Sequence, residues 1–182
     1  LFEQSEARPG EPRRPTVLPV GRVDLDLGPG TRLVSAALDL ASGLLTVLAE
    51  QGKGTVRLEI VADMAANRFS VRLPAALAAA RLACVPAWRY VGEELSAVSF
   101  APPENFYDEG LAGWVQSCPA DPAAAVAVRR SDRELCVAVE LGADADAARA
   151  AAVKTASAGL KKGSAAARAA ARRWWTAYRG SI

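Results

Sequence analysis

Leu33-Val-Ser-Ala-Ala-Leu-Asp-Leu-Ala-Ser-Gly-Leu-Leu-Thr-Val-Leu48 is the stretch that decides the fold. It contains two apolar runs joined by Ala41-Ser42-Gly43, and Leu38 and Leu40 fall on one face of the first run. A short connector that ends in glycine is typical of a β-hairpin whose last turn residue has a positive φ. The stretch therefore predicts an antiparallel hairpin.

The sequence on both sides of this hairpin continues the same pattern of short strands. Alternating or apolar runs lie at 23–27, 56–60, 68–73, 82–85, 95–100, 113–118, 123–129 and 134–141. Residues 75–81 favour a loop or short helix, and 102–110 an irregular segment. About ten strands separated by turn residues predict a mainly β protein, an antiparallel β-sandwich of the super-sandwich type, rather than a βαβ fold.

The C-terminal region has a different, helical composition. Residues 144–158 favour a helix, the stretch 159–163 with its two glycines breaks it, and Ser164 is a candidate N-cap for a second helix that ends near Arg179. Three domain segments are predicted: a leader at 1–16, a β-sandwich at 17–142 and two linker helices at 143–182. The aromatic residues of the second helix need cover, either from the sandwich or from further chain.

The charge and residue types exclude several kinds of chemistry. The chain of 182 residues has no histidine, which removes Ser-His and Cys-His nucleophile pairs and imidazole metal sites. Residues 147–182 carry eight Lys/Arg and no acid, so the rest of the chain has a net charge of −6. A basic helical tail with two tryptophans can contact nucleic acid, but the remaining sequence has no nucleic-acid motif. The prediction is therefore no nucleic-acid partner.

No membrane segment, cofactor motif or metal motif is evident. No run approaches the roughly 18 apolar residues that span a bilayer, and the first residues lack a signal-peptide pattern, so the compartment is left open. Cys84, Cys118 and Cys136 are spaced neither for zinc nor for a redox pair. They are predicted to be buried free thiols, with a single disulfide as the alternative.

Several segments resemble one family. They are 21–23, 38–47, 56–63, the pair Trp88-Arg89, the segment 113–116 with 119–122, and the ending 172–182. The ending is similar to a His-Arg-x-Trp-Trp-x-x-(Phe/Tyr) linker helix, with Ala171 in place of the histidine. Together they resemble the N-terminal β-sandwich and linker helices of bacterial (α/α)6-barrel glycoside hydrolases, of which uncharacterised fucosidase-like proteins are suggested as relatives.

The resemblance implies a non-catalytic role for this chain. In such enzymes the catalytic carboxylates lie in the helical barrel, which would follow Ile182. The chain would then support that barrel and form one rim of its cleft, with Trp174, Trp175 and Tyr178 at the domain interface. The parent protein would be the glycoside hydrolase, acting on an oligo- or polysaccharide. The alternative is a stand-alone carbohydrate-binding or protein-interaction sandwich.

Four residues are candidates for sugar contact. Trp88 and Trp114 offer rings that stack on sugars, and Arg89 and Gln116 offer hydrogen bonds to hydroxyls. Core packing is the other interpretation of both tryptophans. The acids that could serve glycoside hydrolysis are expected to be solvated surface groups: Glu93, Glu94, Glu104, Asp108, Glu109 and Asp121.

Overall fold

The structure, a computed structural model, describes residues 20–78, 80–119 and 121–181. The predicted leader at 1–16 lies outside them. The elements are β1 Gly21–Asp26, β2 Thr31–Asp39, β3 Leu44–Gln51, β4 Gly54–Asp63, β5 Arg68–Arg72, β6 Arg81–Pro86, α1 Trp88–Ala97, β7 Glu104–Asp108, β8 Leu111–Gln116, β9 Ala123–Arg130, β10 Glu134–Gly142 and α2 Ala145–Arg179. A 3-10 turn, Ala75–Leu77, precedes β6.

The strands of the described part form two antiparallel sheets. Eight strands follow the order β2-β3-β4-β5-β10-β9-β8-β7, and β1 pairs with β6 as a separate two-stranded ribbon, the β1–β6 ribbon. The ribbon covers one face of the large sheet, and α2 packs on the other face against β10, β9, β4 and β5. The predicted fold class is confirmed: mainly β and antiparallel, with helix at the C-terminus.

The β2–β3 hairpin forms as predicted. Leu38 pairs with Leu45 across the hairpin, and Gly43 has a φ of 64°. Leu38 is nevertheless 57% exposed, because β2 is an edge strand of the large sheet in the described part of the chain, and Leu40, in the turn after β2, is 66% exposed. The alternating pattern therefore gives the strand but not its burial.

Period-2 alternation explains the two faces of the large sheet. The ribbon face carries larger buried side chains, among them Leu58, Val71, Val128 and Leu135. The helix face carries small ones: Ala125, Ala127 and Ala138 pack against Ala148, Ala152 and Ala156 of α2. Alanines four residues apart lie on one side of a helix, so α2 can approach the sheet closely.

The helix α2 is broken within the predicted stretch 159–163, but only at Gly163: the helix continues through Gly159, which the prediction had as a breaker. Gly163 has a φ of 79°, a conformation that favours glycine, and it divides the element into the halves 145–162 and 164–179. Asp144 caps the first half by accepting a hydrogen bond from the Ala147 N–H at 2.8 Å. Ser164 starts the second half, but the cap comes from Glu134 of β10, whose carboxylate accepts from the Ser164 N–H and hydroxyl.

Two local predictions were wrong. Residues 95–100, predicted as a strand, form the last turn of α1 (95–97) and the loop after it, because Glu93, Glu94 and Leu95 are strong helix formers and the non-helical Val91 only kinks the helix. Residues 102–110, predicted as irregular, contain β7, which pairs with β8 and buries Phe106. The short helix or loop before β6 is confirmed.

Candidate functional site

The four candidate sugar-binding residues occupy two different settings. Trp114 lies on the ribbon face of β8 and is 1% exposed, so no open surface of its ring is offered to solvent. Gln116 follows on the same strand, and its side-chain amide donates hydrogen bonds to the carbonyls of Ala101 at 2.8 Å and Ser117 at 3.0 Å. The bond to Ala101 ties the segment after α1 to the sheet.

Trp88 and Arg89 lie in the first turn of α1. Trp88 is half-buried and its ring contacts Gly92, whereas Arg89 is exposed. The end of the β1–β6 ribbon, where Gly21 pairs with Pro86, connects this turn to Trp114. Arg89 is exposed and Trp88 and Gln116 are half-buried, so these three candidates offer surface to a sugar, and sugar binding by any of the four stays a prediction.

Three aromatic residues form one cluster at the end of α2. The rings of Trp174 and Tyr178 are stacked, with centroids 5.2 Å apart and planes 7° apart. Trp175 meets Trp174 edge to face at 5.0 Å and packs on Val61 and Leu44 of the large sheet. Tyr178 is 46% exposed. The chain's own sandwich therefore covers Trp175, while the stacked pair borders solvent.

The β2–β3 turn fits under this cluster because residue 43 is glycine. A Cβ at Gly43 would overlap the ring of Trp175. Beside it, the Ser42 hydroxyl and the Ala41 N–H donate hydrogen bonds to the Asp39 carboxylate and lower its pKa. Arg179 donates a hydrogen bond to the Ala41 carbonyl at 3.4 Å. The end of α2 is thus held on the hairpin turn.

The solvent side of the second half of α2 forms a shallow groove of about 610 Å³, here called the α2 groove. Its lining residues are Ala165, Arg168, Ala169, Arg172, Arg173, Thr176 and Ala177. Arg168 is paired with Glu59 at 3.2 Å. The groove therefore combines a small-residue floor with guanidinium groups at its edges, which suits carboxylates of a partner.

Among residues 20–78, 80–119 and 121–181, the candidate acids and the thiols show no feature of an activated group. The six acids named above are all exposed, as predicted. All three cysteines are free thiols, of which Cys136 is buried and Cys84 and Cys118 are half-buried. Burial raises the pKa of each thiol, that of Cys84 to about 11. A raised pKa disfavours the nucleophilic thiolate.

A buried ion pair escaped the sequence analysis. Arg68 donates to Asp63 at 2.6 Å, and both side chains are almost fully buried between the sheet and α2. Ser70 and Cys136 lie beside the pair on the same face. In the sequence, Phe69 alternates with the polar neighbours Arg68 and Ser70. Such alternation usually indicates that the polar side of a strand faces solvent, and it does not show that a helix covers that side.

Within the described ranges, no group of three or more His, Cys, Asp or Glu is arranged to hold a metal ion. None of the helices in those ranges is long and apolar enough to cross a membrane. Comparison with protein-family models gives no match for this sequence, and comparison with curated proteins gives no significant relative.

Proposed function

We propose that this chain is the non-catalytic N-terminal part of a bacterial glycoside hydrolase, and that α2 carries the surface on which the (α/α)6 catalytic domain docks. The observation that carries the proposal is the aromatic cluster at the end of α2. Trp174 and Tyr178 stack on each other at the border with solvent, whereas Trp175 anchors the helix to its own sheet. Aromatic residues are enriched at protein interfaces relative to the rest of the surface.

The α2 groove supports the same assignment. It runs along the same half of α2 as the stacked pair, and its alanines allow a neighbouring helix to approach closely. Arg172 and Arg173 can pair with carboxylates of such a helix. The two features form one surface that combines apolar contact with charge, as protein interfaces do.

A support role also explains contacts elsewhere in the fold. The cap from Glu134 and the contact of Trp175 with the hairpin hold α2 on the sandwich. A rigid helix fixes the position of whatever follows or docks on it. The substrate of the parent enzyme would be an oligo- or polysaccharide, met at one rim of the cleft by Trp88 and Arg89.

The test compares variants of the native gene product, after its intact mass has shown whether it is much heavier than this 19.0 kDa chain. Trp174→Ala with Tyr178→Ala should lower the melting temperature of the catalytic part and reduce glycosidase activity. Tyr107→Ala is the matched control, because Tyr107 is 72% exposed on β7 at the other edge of the sheet. It should leave both quantities unchanged.

Two outcomes overturn the proposal. A native product of the mass of this chain leaves no catalytic domain to support. Binding of oligosaccharides by the 182-residue chain alone, lost on Trp88→Ala, would indicate the stand-alone carbohydrate-binding module instead.

A further inference from the structure

The outer edge of β2 is open to a partner. Within the described residues, β3 is the one strand that pairs with β2. All its residues from Arg32 to Asp39 are exposed, and Leu33 is 67% exposed. The edge of a sheet presents a row of backbone N–H and C=O groups to which another strand can add. The apolar side chains of this edge add contact area to those backbone groups.

The other edge of the large sheet is protected against such pairing. The strand β7 has five residues, and its first and last residues are the exposed acids Glu104 and Asp108. Short length and charge are two means by which proteins block edge pairing. The strand β2 has nine residues, contains neither Lys nor Pro, and carries its two charges near its ends, on Arg32 and Asp39. Of these two edges, β2 is therefore the one suited to pairing.

A bulge in β2 determines which side chains share a face. The register of β2 against β3 shifts at Val34, which is the extra residue of a β-bulge. Arg32 therefore lies on the same face as Asp39, although their spacing in a regular strand would place them on opposite faces. This is the helix face, because Asp39 pairs with Leu44, which packs against α2.

A second copy of β2 complements this edge. When two β2 strands run antiparallel about a twofold axis at Ala36, Arg32 faces Asp39 of the second copy, and symmetry forms the same pair again. On the ribbon face, Leu33 faces Leu38 of the second copy. Opposite charges and apolar pairs directly across two strands are stabilising. The strand is therefore complementary to itself in charge and in apolar contact.

Both charged groups can accept a new partner without losing their present ones. Arg32 donates to Glu50 through Nε and Nη2, so its Nη1 can donate to a second carboxylate. The Asp39 carboxylate accepts from the Ala41 N–H and the Ser42 hydroxyl, and a carboxylate has about four acceptor sites. The charge pairs of the twofold arrangement therefore leave the hairpin intact.

We propose that β2 is the interface of a homodimer, in which two β2 strands pair antiparallel about Ala36 and join the two large sheets into one. Because the same strand is used by both copies, the interface closes after two chains. An axis at Ala37 would place Asp39 opposite Ser35 of the second copy and lose the charge pairs. The inference is independent of the proposed support function, since it uses the strand edge and not α2.

The first test determines the register with two neighbouring exposed alanines. In the proposed dimer the two Cα atoms of Ala36 lie about 4.5–5.5 Å apart, within the range of a disulfide, whereas those of Ala37 are offset by two residues and lie about 8 Å apart. The 182-residue chain is oxidised with copper–phenanthroline and run on a non-reducing gel. Ala36→Cys should form a covalent dimer at least tenfold faster than Ala37→Cys. Both variants retain the three native thiols, so these cancel in the comparison.

The second test exchanges the charges and follows the mass by sedimentation velocity, with circular dichroism to verify folding. The parent chain should sediment as a dimer of twice its 19.0 kDa mass. Arg32→Glu places two acids in each charge pair, and Asp39→Arg places two bases there, so each variant alone should dissociate into monomers. An equal mixture of the two variants restores both opposite-charge pairs and should form a heterodimer.

A third comparison covers the case in which Asp39→Arg fails to fold because its turn loses the Asp39 bonds. Leu38→Lys introduces a charge into the interface and should weaken the dimer at least tenfold. Tyr107→Lys makes a matched change on the exposed surface of β7 and should dimerise as the parent chain does.

Three results overturn the proposal. They are a parent chain that stays monomeric at submillimolar concentration, a dimer that Leu38→Lys leaves intact, and cross-linking through Ala37→Cys that is as fast as through Ala36→Cys.

Discussion

Replacing Gly159 by alanine probes how closely α2 approaches the large sheet. Gly159 is buried in the first half of α2, and a Cβ there would overlap Sγ of Cys136 on β10 and lie 3.0 Å from Cδ of Arg68. Arg68 is held in the buried pair with Asp63. Neither neighbour can move without disturbing the packing below the helix.

The expected magnitude combines two opposite effects. Alanine stabilises a helix interior by about 1 kcal/mol relative to glycine, and overpacking a core costs about 1–3 kcal/mol. Because two buried groups stand in the way of the new methyl group, we expect the upper part of the second range. Gly159→Ala should therefore lower the free energy of unfolding by about 1–2 kcal/mol.

The measurement is urea unfolding followed by circular dichroism at neutral pH with the thiols reduced. In a Cys136→Ala background the sulfur is gone, and Gly159→Ala should cost about 1–2 kcal/mol less than in the parent chain, a coupling of the size seen for residues in contact. Ala158→Gly, at an exposed position one residue earlier, gives the propensity effect alone and should cost about 1 kcal/mol. A Gly159→Ala variant more stable than the parent, or an equal cost in both backgrounds, would refute the close approach.

Three further predictions concern the ion pair, a thiol and the hairpin. Asp63→Asn leaves Arg68 buried and unpaired, so urea unfolding should show a loss of about 3–5 kcal/mol. The pKa of Cys84 is about 11 in the folded chain against 9.0 for a free thiol, so the unfolded chain loses this proton first. The free energy of unfolding should therefore fall as the pH rises from 9 towards 11. Unfolding curves of Cys84→Ala should show a shallower decline across that range. Gly43→Ala and Gly52→Ala both strain a positive φ, but only the first also meets a ring, so its thermal unfolding should show about 1–3 kcal/mol more destabilisation; equal losses would contradict the contact.

Much of the secondary structure was accessible from local sequence. The alternation on each side of Gly43 gave the hairpin, and the glycine itself gave the positive φ that the turn adopts. Gly163 gave the break in α2 in the same way. The helix α1 was missed because Val98 and Phe100 resemble a strand ending, while the helix formers that precede them decide the local structure.

The candidate site depended on contacts between distant segments. Trp174 and Trp175 are adjacent in sequence and equally apolar, yet only Trp175 meets the sheet, because the helix turns the two rings to different sides. Trp88 and Trp114 were equal candidates for sugar contact, and burial separates them. No local pattern specifies which of two such side chains faces the core.

The sequence by itself determined most of the strands, the main turns and the helical tail of this protein, since these follow from side-chain periodicity and from the φ that glycine permits. Only the tertiary structure decided what covers each face. The alternation predicted that Arg68 and Phe69 point to opposite sides of β5. In the structure α2 buries Arg68, whereas the ribbon leaves Phe69 half-exposed. The reason is physical: periodicity fixes relative orientation within a strand, whereas burial depends on elements that the chain brings there from far along the sequence.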